Sequence, residues 1–86
     1  GDFEVELKVG TRFSVWPLGF QHFQQSTGLE WALDDLTMML GLRTGTSNRS
    51  IANKVSIKAG KGDGYLVITP LNTLEEMLKA AQKLIN

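Results

Sequence analysis

One pattern occurs twice in this chain and constrains it more than any other feature: an alternating apolar segment, a glycine turn, a second apolar segment ending in proline, then a capped amphipathic stretch. The first copy runs through Val5-Glu6-Leu7-Lys8-Val9-Gly10, Phe13-Ser14-Val15-Trp16-Pro17-Leu18 and residues 27–40. The second runs through Val55-Ser56-Ile57-Lys58-Ala59-Gly60, Leu66-Val67-Ile68-Thr69-Pro70-Leu71 and residues 73–85. Strict alternation is the period of a half-buried strand, and Thr followed three residues later by Glu marks a helix start. The chain reads as strand, strand, helix, repeated, which sets one sheet against a layer of helices.

In the first copy, Phe3, Val5, Leu7 and Val9 alternate with Glu4, Glu6 and Lys8. A three-residue loop at Gly10-Thr11-Arg12 sets Val9 opposite Phe13 and Leu7 opposite Val15, and turns Trp16 to the other face. Pro17 ends that strand and opens a short helix to Gln25, with Trp16, Phe20 and Phe23 at helical spacing. Thr27-Gly28-Leu29-Glu30 reads as a capping box, and the stripe Leu29, Ala32, Leu33, Leu36 and Leu40 predicts a helix over 28–40, stopped at Gly41-Leu42. The polar segment from Arg43 to Asn53 reads as a loop.

In the second copy, Lys54 to Ala59 and Tyr65 to Thr69 predict a hairpin with the tip Gly60-Lys61-Gly62-Asp63-Gly64. That register aligns Tyr65 and Val67 with Ala59 and Ile57, and puts Leu66 and Ile68 on the side of Ser56 and Lys58. Thr73-Leu74-Glu75-Glu76 is a second capping box, and Leu74, Met77, Leu78, Ala81 and Leu84 form the expected buried stripe of the last helix. The expected fold is α+β: a four-stranded, mainly antiparallel sheet from two hairpins, in the order ββ-αα-ββ-α. Its helices pack on the face lined by Phe3, Val5, Leu7, Val15, Ile57 and Val67. Trp16, Leu66 and Ile68 lie on the opposite face, which makes them the expected dimer interface, since an uncovered apolar patch marks an association site.

At 86 residues and 42% hydrophobic content, residues 1–86 fit a single domain that buries roughly 60–65% of its unfolded-chain surface. No apolar run approaches the ~18 residues that cross a bilayer, so no membrane partner is expected. The absence of cysteine removes disulfides and thiolate chemistry and suits a reducing compartment, with the cytoplasm favoured. His22 is the sole histidine, set among Gln and Phe, and Asp34 and Asp35 diverge by about 100° on a helix. Neither gives a catalytic or metal site. Gly60 to Gly64 leads into a strand rather than a helix, unlike a phosphate loop, so no cofactor is expected. The chain reads as a non-enzymatic interaction module.

Zero formal charge conceals an asymmetry. Residues 1–36 hold six acids against two bases, a net of minus four, whereas residues 37–86 hold seven bases against three acids. Arg43, Arg49, Lys54, Lys58 and Lys61 come in a row with no acid until Asp63. Arg49, Lys54, Lys58 and Lys61 are therefore the candidate contacts to a DNA backbone. Two other readings stand beside that one: the lysines guard an exposed sheet edge, or the basic stretch pairs with the acidic one.

Lys54-Val55-Ser56-Ile57-Lys58, the Gly-Lys-Gly tip, Tyr65-Leu66-Val67-Ile68 and Leu74-Glu75-Glu76-Met77-Leu78 together resemble the C-terminal dimerisation domain of ParB-type partition proteins over residues 54–84. That resemblance implies a domain that dimerises through sheet and helix and touches DNA with hairpin lysines. A protein-binding adaptor of a larger assembly, with no nucleic-acid role, is the alternative reading.

Overall fold

Among the described residues, seven strands and one helix follow the chain in order: β1 (Asp2–Glu6), β2 (Arg12–Pro17), β3 (Phe20–Thr27), β4 (Leu36–Met39), β5 (Ser47–Arg49), β6 (Lys54–Gly62), β7 (Tyr65–Ile68) and α1 (Leu74–Ile85), with a 3-10 turn at Leu71–Thr73 before α1. The structure is a computed structural model that describes residues 2–40 and 47–85. The strands form two antiparallel sheets, one of four strands in the order β1-β6-β3-β4 and one of three in the order β5-β2-β7. Their inner faces share one core: Phe3, Val5 and Leu7 from β1, Phe13 and Val15 from β2, Phe23 from β3, and Val55 and Ile57 from β6.

The α+β class and a four-stranded antiparallel sheet agree with the sequence reading, but the route through them does not. The two hairpins of the expected ββ-αα-ββ-α order are absent, because β1 and β2 lie in different sheets, as do β6 and β7. At the first junction Ser50, fully buried, intervenes: its hydroxyl donates to the Lys8 carbonyl at 2.7 Å and accepts from the Thr11 amide at 3.0 Å. The Gly10 amide donates to the Ser50 carbonyl and the Ser50 amide to the Thr11 carbonyl. The turn's polar groups are thus taken by a distant residue, and the chain crosses between sheets instead of folding back on β1.

The two central helices are also replaced. The helix expected from Pro17 to Gln25 is replaced by β3, which extends to Thr27 and pairs with both β4 and β6. Residues 28–35 form an irregular connection, and 36–39 form β4. Gly28 has φ +81°, and a Cβ there would sit 2.1 Å from the Lys54 carbonyl oxygen, so the chain passes too close to β6 for a helix to begin. Side chains then hold the connection. Buried Asn48 accepts from the Trp31 amide at 3.0 Å and donates to the Trp31 carbonyl at 2.7 Å, while the Ser26 hydroxyl accepts from the Leu33 amide at 2.7 Å. Leu29 and Leu33 are buried as anchors of this connection rather than as a helical stripe. Gly41, Leu42 and Arg43 lie outside the described residues; the expected loop farther on contains β5.

The last helix occupies its expected place, but a different flank is buried. Ala80 is buried and Met77 half-buried, whereas Leu74 and Leu78 are each 55% exposed. At about 100° per residue, Thr73, Met77 and Ala80 share one flank while Leu74, Leu78 and Ala81 lie on the next. The helix packs along β1, the edge of the four-stranded sheet, and contacts it with the narrower flank. The side chain of Leu84 is outside the described residues. Nor does the Thr73 hydroxyl close the expected capping box; it turns back to the Pro70 carbonyl at 2.6 Å and Thr69 Oγ1 at 2.7 Å.

These burials predict opposite outcomes for two truncations. Phe23 is fully buried and meets Tyr65 edge to face at 5.0 Å, so Phe23→Ala should cost about 3–5 kcal/mol. Leu78→Ala should stay within about 0.5 kcal/mol of the parent. Urea unfolding of dilute protein measures both.

Candidate functional site

Alternation along β2 sends Phe13, Val15 and Pro17 inward and leaves Arg12 and Trp16 exposed on the outer face. On β7, Leu66 and Ile68 face outward while Tyr65 and Val67 are half-buried. Trp16 and Leu66 are direct cross-strand partners, and Ser14 faces Ile68. The predicted trio Trp16, Leu66 and Ile68 is therefore brought together on one face, at 39%, 50% and 53% exposure. Sequence reasoning missed the apolar surface that follows it in the chain, namely Leu71 in the 3-10 turn and Leu74 and Leu78 on α1. Its signal was present in the width of the α1 stripe, which exceeds what one helix flank can bury.

The four candidate cations do not gather on one face. Arg49 lies on β5, opposite Arg12, on the outer side of the three-stranded sheet. Its guanidinium holds the Glu30 carboxylate, and that hydrogen bond, followed by the Glu30 charge, raises the Arg49 pKa further. Lys54 and Lys58 lie on the outer face of β6, in the other sheet, as alternation predicted. β6 is an interior strand, so these lysines guard no sheet edge. Across the pair with β1, Lys54 faces Glu6 and Lys58 faces Asp2, and Lys54 Nζ lies 3.5 Å from Glu4. The acidic and basic segments of the sequence are neighbours in the sheet. Lys61 is exposed near the far end of β6.

A cleft of about 560 Å³ opens where β6 and β7 part into their separate sheets. Phe3, Ala59, Tyr65, Val67 and Met77 give it an apolar lining, Gly60, Gly62 and Gly64 remove side chains from its wall, and Asp2 is its single charged residue among the described residues. Gln21, almost fully buried on β3, fixes the far wall. Its Nε2 donates to the His22 and Gly60 carbonyls at 2.8 and 3.2 Å, and its Oε1 accepts from the Gly64 amide at 3.0 Å. Gly62 is required beneath it, since a Cβ there would meet Gln21 Oε1 at 2.3 Å. The volume lies within the ordinary range for ligand sites.

His22 sits on the outer side of β3, with Nε2 2.9 Å from Asp35, whose backbone has φ +49°. With no cysteine in the chain, this pair has no thiol to activate. Among the described residues, no cluster of three or more acidic or histidine side chains is placed to hold a metal ion, and no helix is long and apolar enough to cross a membrane. Comparison with protein-family models, with characterised proteins and with solved structures finds no match for this chain.

Burial, and secondarily the Asp2 charge, push the Tyr65 phenol above its ordinary value. The folded chain thus keeps this proton longer than the unfolded chain does. As pH rises past about 10, where an unfolded tyrosine ionises, the unfolded state loses the proton first and folding stability falls. Asp2→Asn should lower the Tyr65 pKa only in part, because burial persists. An ultraviolet absorbance titration reads this, and an unchanged curve would place Asp2 too far away to matter.

Proposed function

We propose that this chain is a non-enzymatic interaction module that associates with itself through Trp16, Leu66 and Ile68, extended by Leu71, Leu74 and Leu78. The supporting observation is the exposure of these large apolar side chains on the outer side of β7 and on the uncovered flank of α1. Removing such surface from water is favourable by about 25 cal/mol per Å², and a patch of this kind marks an association site more often than a solvated surface. A contact centred on the Trp16–Leu66 pair places no ion at its middle, since Ser14, Leu66 and Ile68 carry no charge and Arg12, on the same face, lies at the other end of β2. Closed two-fold pairing is the commonest outcome for a self-complementary patch.

DNA contact by Arg49, Lys54, Lys58 and Lys61, the other role implied by the ParB-type resemblance, has less support. Glu30, Glu4, Glu6 and Asp2 stand against three of these four cations and compete with phosphate for them. A protein-binding adaptor with a different partner would use the same apolar surface.

Sedimentation velocity over a range of concentrations tests the proposal. The expected result is a concentration-dependent dimer, weakened about tenfold or more by Ile68→Lys or Leu78→Lys, each of which places a charge in the contact. A strict monomer at the highest concentration would overturn it.

A further inference from the structure

The free edge of β7 carries information that its outer face does not. Among the described residues, β7 pairs with β2 on one side and with no other strand. In an antiparallel ladder, hydrogen-bonded and non-hydrogen-bonded pairs alternate, so one bond fixes the parity of all. That bond is Leu18 N–H to the Gly64 carbonyl at 2.9 Å. It continues the register in which Trp16 faces Leu66 and Ser14 faces Ile68, so these are the hydrogen-bonded pairs. Tyr65 and Val67, opposite Pro17 and Val15, form the alternate pairs, whose N–H and C=O groups point away from β2. Pro17 agrees with this parity, since it has no N–H to give. Among the described residues, neither Tyr65 nor Val67 has a backbone partner on that side.

The groups that point away from β2 border the cleft. Tyr65 and Val67 line it, together with Met77 of α1. Phe3 of β1 and Ala59 of β6 add to the apolar lining beside Met77. A strand edge with unused donors and acceptors, an apolar trough beside it and a helix beyond are the parts of a site that recognises an extended chain by strand addition. The charge at its mouth is Asp2, which stands opposite Lys58 across β1 and β6 but makes no ion pair among the described residues.

We infer that the groove between β7 and α1 binds an extended peptide segment as an added strand on Tyr65 and Val67, with an apolar side chain in the cleft and a basic one beside Asp2. This inference concerns the edge and inner side of β7, so it goes beyond self-association through the outer face and stands or falls separately.

The probe is a short acetylated peptide of alternating Val and Thr with one Lys, titrated against isotopically labelled protein. Amide shifts at Tyr65 and Val67 are expected, together with slowed hydrogen exchange at both. The same peptide N-methylated at alternate backbone nitrogens keeps its side chains but loses its donors, and should bind about tenfold or more weakly. Ala59→Leu should reduce binding by filling the cleft, and Asp2→Asn should weaken the Lys peptide but not one with Thr in place of Lys. Equal binding of the N-methylated peptide, or a titration that leaves the Tyr65 and Val67 amides unmoved, would overturn the inference.

Discussion

The Gln21 carboxamide decides where the two sheets separate. It is buried, and it ties the end of β6 to the β6–β7 connection through the Gly60 carbonyl and the Gly64 amide, while its Nε2 also donates to the His22 carbonyl on its own strand. A buried amide in such a position is costly to leave without partners, so the connection must be held where the carboxamide can reach it. Gly62 lets β6 pass under the side chain with no Cβ in the way, and Gly64, at φ +102°, turns the chain out of the sheet. β6 therefore continues along β3 while β7 leaves to join β2. Sandwich, cleft and open β7 edge all follow from that parting.

Much of the strand content and the orientation of individual side chains was legible in the sequence, because a period of two reports which residues share a face regardless of which strand comes next. Phe3, Val5, Leu7, Val15 and Ile57 are buried, and Trp16, Leu66 and Ile68 are exposed, as alternation required. Pairing was not legible. The Gly10 and Gly60–Gly64 turns look like hairpin tips, and nothing local to them shows that Ser50 and Gln21, each about forty residues away along the chain, take their hydrogen bonds. The stretch 28–40 carried a capping signature and an apolar stripe at helical spacing, but tertiary contacts overrode both. Thr27 is a strand residue facing Ser56, Gly28 lies under the Lys54 carbonyl, and Asn48 occupies the Trp31 backbone that a helix would have used.

Charge was legible as a quantity and not as a place. The opposite balances of the two halves become, in part, the juxtaposition of Asp2, Glu4 and Glu6 on β1 with Lys58, Ser56 and Lys54 on β6. Opposite charges across a strand pair support its register, and a one-residue slip would move them to the core face along with every other outer side chain. The basic run that resembled a phosphate footprint in one dimension is divided between two sheets and set among nearby carboxylates.

The same reasoning explains why surface remains uncovered on one side. The apolar part of α1 spans two adjacent flanks, and β1 together with the core accepts only the flank of Thr73, Met77 and Ala80. By lying along β1 the helix protects one sheet edge, which leaves the β7 edge without an equivalent. Open backbone groups at Tyr65 and Val67 and the apolar line of Phe3, Ala59 and Met77 border a single cleft. An apolar ligand alone would satisfy the line and leave the backbone groups dry, at a desolvation cost, whereas a hydrated cleft would leave the apolar line in water. An extended chain meets both demands at once, since its backbone pairs with the edge while alternate side chains enter the trough.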